Sequence, residues 1–169
     1  MSCLYLGLLS LYLHENPIVM QFTPSKLNTF LLFKLPSAYI CGVRVKQISA
    51  QQCVATVKHR WINQNPFNSM YFAVQAMAAE LTTGVLVMYH IKRSGKKVSM
   101  LVANNKCTFT KKARGRITFT CTEGSAIENA LKIAIDTGEG QTFCMKSVVV
   151  DEGGDQVSQK EFEWSIIVK

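Results

Sequence analysis

The chain of 169 residues predicts an α+β fold in which an antiparallel sheet of about six strands curls around one long central helix. Three observations carry this expectation. The run Met70 to Met88 is apolar nearly all round, broken only by Gln75, Glu80, Thr82 and Thr83, and a helix of that kind has to be buried. Segments on both sides of it alternate apolar and polar residues with period two between turn residues, the signature of half-buried strands. With 48% hydrophobic residues, the chain has material for one well-buried core and the usual size of a single domain.

Each element has its own signal. Thr23 before Pro24 gives a cap and a first-turn proline for a short helix that ends near Pro36. Residues 42–49 and 52–59 alternate around Ala50-Gln51 and form a first hairpin. The long helix runs from about Ser69 to Ile91. Residues 96–112 and 115–123 flank Ala113-Arg114-Gly115 and read as a second hairpin, bulged near Asn104-Asn105. Ser125 to Glu128 has capping-box spacing and Gly138 is a C-terminal stop, so 126–137 is a shorter helix. Residues 140–150 and 157–169, joined by Glu152-Gly153-Gly154-Asp155, form a third hairpin. The domain is expected over 23–169, with 1–22 as an N-terminal extension. That extension lacks the positive n-region and cleavage pattern of a signal peptide, and Met20 offers an alternative translation start.

Charge is unevenly placed. Residues 1–122 hold fifteen Lys/Arg and two acids, Glu15 and Glu80, whereas 123–169 hold four Lys/Arg and nine acids. Glu80 is therefore the one acid between Asn16 and Thr122. The six cysteines show no CxxC pair and no Cys/His cluster at metal spacing, so no metal or cofactor is expected, and core thiols in a reducing cytoplasm are. A membrane span over 70–88 is disfavoured, because a central charge costs roughly 2.5–3.5 kcal/mol on the insertion scale and the neighbouring elements are strands.

Helical spacing sets Glu80 on a stripe with Ala73, Ala76, Met77, Thr83 and Gly84. Small neighbours admit a second backbone or a ligand, and a carboxylate there loses solvent, which raises its pKa into the range useful to a general base or nucleophile. The other reading is a structural glutamate satisfied by Thr83, by backbone or by a nearby Lys or Arg. Asn65, Asn68 and Ser69 are all cap-type residues, and free N–H groups near Ser69 to Tyr71 can polarise a carbonyl. Simple capping needs only one of them.

The stretches LPSAYICGVRV, NPFNSMYFAVQAMAAELTTG, CTFTKKARGRITFTC and TGEGQTFCMKSVVVDEGG, spread over 24–169, resemble the hot-dog fold. The resemblance is to a branch of the thioesterase-like hot-dog proteins named only as a domain of unknown function. It implies hydrolysis of acyl-CoA or another acyl thioester at a dimer interface, with Glu80 as the acid, Asn68, Ser69 and Met70 as the carbonyl-binding turn and Asn65 as an orienting side chain. The chain departs from many relatives in having Asn68-Ser69-Met70 where they carry glycines.

Residues 92–116 hold nine Lys/Arg and no acid. Lys96, Lys97, Lys111, Lys112, Arg114 and Arg116 are candidate partners for CoA phosphates; a solvated face balanced by Glu161 and Glu163, or an RNA surface, would account for them too. No RNA-binding signature supports the last, so nucleic acid is disfavoured. The leading reading is a cytoplasmic acyl-thioester hydrolase that works as a homodimer or a tetramer built from it. The alternative is a non-catalytic acyl- or lipid-binding hot-dog protein.

Overall fold

The computed structural model describes residues 22–169. The expected extension and the Met20 start lie outside the described residues, apart from Phe22. Helix α1 (Pro24–Lys34) is capped by Thr23, whose Oγ1 accepts from the Lys26 amide at 3.4 Å. A five-residue helix α2 (Pro36–Ile40), not anticipated from the sequence, follows at once, again with proline in its first turn. The first hairpin is as expected, β1 (Arg44–Ile48) with β2 (Cys53–Lys58). A 3₁₀ turn (Trp61–Asn63) and a loop then lead into α3 (Phe72–Ser94), three residues later at each end than the periodicity places it.

The remaining strands are β3 (Val98–Phe109), β4 (Arg116–Cys121), β5 (Gln141–Val150) and β6 (Gln156–Val168), with α4 (Gly124–Thr137) between β4 and β5. All six form one antiparallel sheet in the order β1-β2-β4-β5-β6-β3. This corrects the expected second hairpin: β3 pairs with β6 and β4 with β2 and β5. The α3 helix delivers β3 to the far edge of the sheet, and the chain crosses back before β4 begins. The bulge is found one step early, between Val102 and Asn104.

The capping box on α4 is also corrected. Ser125 Oγ donates to Gln51 Oε1 at 2.9 Å, and the helix starts at Gly124 instead. A Cβ on Gly124 would stand 2.0 Å from the Ala50 carbonyl oxygen, so glycine is what lets α4 sit on the first hairpin's turn. Gly138 ends the helix in the left-handed conformation, as expected. The cysteines divide: Cys53 and Cys121 are buried directly opposite each other on β2 and β4, with burial pushing both thiols up to about 12, whereas Cys144 is exposed.

By length and composition α3 could cross a membrane, but the sheet encloses it and most of its residues are buried. Val74, Ala78, Ala79, Leu81, Val85, Leu86 and Met88 face a core completed by Phe119, Ile127, Met145, Phe162, Trp164 and Ile166. Three of the helix's polar interruptions are tied to the sheet. Gln75 accepts from Ser158 Oγ at 3.2 Å and donates to the Met70 carbonyl. Thr82 and Ser147 share a hydroxyl hydrogen bond of 2.9 Å. Thr83 Oγ1 accepts from the Trp164 indole at 3.0 Å. Each is a buried polar group with a partner, the condition under which burial costs little.

Candidate active site

Glu80, the fourth interruption, is different. Its carboxylate makes no hydrogen bond or ion pair with any described residue; Thr83 donates to its backbone carbonyl, at 2.9 Å, and not to the side chain. The side chain is partly buried, with Oε1 lying beside Gly84 and the Trp164 ring, since a Cβ built on Gly84 would be 3.3 Å from that oxygen and 3.2 Å from the ring. Loss of solvent pushes the carboxyl up from 4.5 to about 7. Ala73, Ala76, Met77 and Glu80 are the less-buried residues along one side of an otherwise enclosed helix, so the small-residue stripe opens outward.

The loop before α3 is built by Asn65. Its Oδ1 accepts from the Phe67 amide (2.9 Å), the Ser69 amide (3.2 Å) and the Ser69 hydroxyl, while Asn68 takes a left-handed turn at φ 55. Asparagine tolerates that conformation better than most residues. The Arg114 guanidinium donates to the Asn68 carbonyl at 2.9 Å, fastening the loop to the segment before β4.

This hydrogen bonding moves the free donors. The Asn68 amide donates to Asn65 O, Ser69 to the Asn65 side chain, Met70 to Ala113 O at 2.8 Å and Tyr71 to Asn63 O at 2.8 Å. The amides expected to face a carbonyl are thus occupied in holding the loop. Because α3 begins at Phe72, with Tyr71 as an extended N-cap, the N–H groups of this helix start without an acceptor among the described residues are those of Phe72 and Ala73. A cavity of about 500 Å³ opens at this helix start, lined among others by Asn65, Ser69, Met70, Phe72, Gln75 and Phe109, with Lys111 and Lys112 at its margin.

The six cationic candidates are not one cluster. Lys96 and Lys97 precede β3, and Lys111 to Arg116 follow it, roughly 36 Å away along twelve strand residues. Lys111 binds Asp151 at 2.7 Å and also Asp155, bonds that raise its pKa. Arg116 stands 4.0 Å from Glu152. Lys112 and Arg114 remain exposed without an acid partner among the described residues.

A buried lysine went unremarked in the sequence. Lys160 of β6 is fully enclosed, its Nζ 4.0 Å from the Phe109 ring centroid, and burial lowers its pKa. Period two would have revealed it, because Phe162, Trp164 and Ile166 define the inward face of β6 and Lys160 shares it. Among the described residues no group of three or more His, Cys, Asp or Glu could hold a metal ion.

Solved structures with this architecture span nearly the whole domain. One is a protein of unknown function from Pseudomonas aeruginosa described as a probable thioesterase, with TM-score 0.73 and 18% identity over 89% of this chain and 99% of that one. A protein of unknown function from Chlorobaculum tepidum has TM-score 0.73 and 12% identity, covering 87% and 98%. A thioesterase from Haemophilus influenzae has TM-score 0.64 and 14% identity, covering 88% and 92%. At these identities the likeness is one of fold, and the fold is the hot-dog. No curated protein matches the chain. The model of the family described as "Domain of unknown function (DUF4442)" matches residues 24–166, and the chain belongs to that family.

Proposed function

We propose that the protein hydrolyses acyl thioesters, acyl-CoA among them, with Glu80 as general base or nucleophile and the Phe72 and Ala73 N–H groups polarising the thioester carbonyl. The observation that carries this reading is the unpaired carboxylate: of Gln75, Glu80, Thr82 and Thr83 on α3, Glu80 alone has no side-chain partner among the described residues. As base, it would take a proton from water as the oxygen bonds to the carbonyl carbon, and return it to the sulfur as the C–S bond breaks. The first-turn N–H groups would hold the carbonyl oxygen as charge builds on it.

One chain is too small for this task. Phe72 and Glu80 are eight residues apart, about 12 Å along the helix axis, so a single carbonyl cannot touch both. Two copies with antiparallel α3 helices meeting through Ala73, Ala76 and Met77 would bring Glu80 of each to the helix start of the other. The sheet supports the same assembly, because β3 is an unpaired edge of twelve residues with Leu101 and Phe109 exposed. Antiparallel pairing of two β3 edges would also set Lys96 and Lys97 of one copy beside Lys112 and Arg114 of the other, gathering the divided cations for CoA phosphates. We therefore propose a homodimer as the working unit, with Asn65, Asn68, Ser69 and Met70 shaping the loop that presents the helix start.

Occupation of the Ser69 and Met70 amides favours one other reading, an acyl-binding protein without turnover. Thiol release measured over a panel of acyl-CoA chain lengths separates the two. Turnover supports hydrolysis, and saturable binding without thiol release supports the binder.

A further inference from the structure

The 3₁₀ turn and the loop after it expose more apolar surface than a solvated loop requires. Trp61 is 82% exposed, Ile62 51% and Phe67 71%. Trp61 and Ile62 line a shallow cavity of about 370 Å³ with Gln64, Asn65 and Pro66, and Phe67 continues the same surface past Asn65 and Pro66. The scaffold beneath is fixed. Asn63 is buried, and its Nδ2 donates to the carbonyls of Cys41 and Lys58, both at 2.9 Å, while its Oδ1 accepts from the Arg60 amide at 2.8 Å. Trp61 and Ile62 therefore project from a turn pinned by Asn63, and Phe67 from a loop held by Asn65.

The charge around this patch has one sign. Residues 58–72 contain Lys58 and Arg60 and no acid, and both cations are exposed. The neighbouring segment is joined to it by the His59 amide on Gly115 O at 2.7 Å and by Arg114 on Asn68 O, and it adds Lys112 and Arg114. The nearby acids Asp151, Asp155 and Glu152 are engaged with Lys111 and Arg116.

We propose that this end of the molecule docks on an anionic lipid surface, with Trp61, Ile62 and Phe67 entering the headgroup region and Lys58, Arg60, Lys112 and Arg114 facing lipid phosphates and carboxylates. Exposed apolar patches of this kind mark interaction sites. Aromatic tips rimmed by Lys/Arg have the composition of a surface that lies in a membrane interface. A two-fold contact of the patch with itself is the poorer fit, because it would bring Lys58 and Arg60 of both copies together with no ligand phosphate between them. Lys112 and Arg114 are also the cations offered to CoA phosphates above; Trp61, Ile62, Phe67, Lys58 and Arg60 carry the docking surface without reference to thioester hydrolysis.

The chain reports on its own docking, because its other tryptophan, Trp164, is buried. The full chain is titrated with phosphatidylcholine vesicles, with and without phosphatidylserine, following tryptophan emission and co-sedimentation. The emission should shift to the blue, and partition should be about tenfold or more stronger onto the anionic vesicles and weaken at high salt. Trp61→Ala should abolish the shift and Arg60→Glu with Lys58→Glu should remove the preference for anionic lipid, while circular dichroism confirms the fold; Trp61→Phe should retain sedimentation. Equal partition onto both vesicles, or none, overturns the proposal. So does an indole already shielded before lipid is added, with Trp61→Ala dissociating an oligomer, which would assign the patch to a second copy. A polyuridine oligonucleotide that elicits the Trp61 response when vesicles do not would overturn it in favour of RNA.

Discussion

Replacing Glu80 by Gln should make the protein more stable and less active at once, and the structure sets the size of the first effect. An acid with a folded-state pKa of about 7, against an ordinary value of 4.5, is penalised by folding wherever the unfolded chain has ionised. Below about pH 4.5 both states hold the proton and the penalty is absent; it grows as pH rises toward 7 and is complete above. At about 1.36 kcal/mol per pKa unit the ceiling is about 3 kcal/mol. Gln keeps the shape without the charge, so Glu80→Gln should match the wild type near pH 4.5 and gain up to about 3 kcal/mol at pH 8, or roughly 6–12 °C in Tm for a chain this size. Urea unfolding followed by the emission of buried Trp164 at the two pH values measures it. If Glu80 is the base, turnover should fall by about 10² or more in the same variant. A variant less stable than wild type at pH 8 would mean that the carboxylate holds a stabilising partner, and unchanged turnover would remove Glu80 from the chemistry.

If Glu80 is the base, the wild-type protein's kcat/KM should rise with pH through about 7 and then level, because the base must be ionised to act; a flat profile from pH 5 to 8 argues against it. Phe72→Pro removes one free N–H at a helix position where proline fits, after a Tyr71 already extended at φ −60 and ψ 137, and should lower kcat by about 10²–10³ without unfolding the chain. Mixed Phe72→Pro and Glu80→Gln subunits should recover roughly a quarter of wild-type turnover through hybrid dimers with one intact site, and hybrids confirmed by mass that stay inactive would refute the shared site. Neutralising Lys112 and Arg114 should raise KM for acyl-CoA more than for a short thioester lacking the nucleotide; equal effects on both would return these cations to a solvated face. Gly84→Ala should lose stability in a thermal melt, because its Cβ meets the Trp164 ring at 3.2 Å and Glu80 Oε1 at 3.3 Å, and crowding of about 1–3 kcal/mol outweighs a helix-propensity gain of about 1 kcal/mol. A higher melting temperature would show that Trp164 yields freely.

What could be read in advance was whatever is encoded locally. The α3 helix, the β1–β2 and β5–β6 hairpins and the Gly138 stop each depend on residues close in sequence, and each was found. Pairing between distant segments was not legible. Ala113-Arg114-Gly115 looks like a hairpin turn, yet nothing in the alternation of residues 115–123 names a neighbour, and β4 joins β2 instead. Ser125 lost its capping role because Gly124 packs against a turn some seventy residues earlier. Glu80 stood out as the lone acid of its helix, but which N–H groups remain free depended on Ala113 and Asn63 reaching the loop from elsewhere.

The position of β3 at the sheet edge governs the order in which the molecule can be completed. Among the described strands its one neighbour is β6, the last of them in sequence, so Val98 waits for Val168 and Phe109 for Ser158. On a ribosome the first two strands and α3 emerge long before that partner exists, and the twelve-residue β3 stays without this hydrogen-bonded neighbour until residues 156–168 have been made. Closing so long a loop is slow, and an open strand in the interval is a site for mispairing. Polar Asn104, Asn105 and Lys106 in the middle of β3 lower that hazard. A chain cut off before β6 would keep all four described α-helices and lose the sheet partner of β3, so completion of this edge depends on residues 156–168.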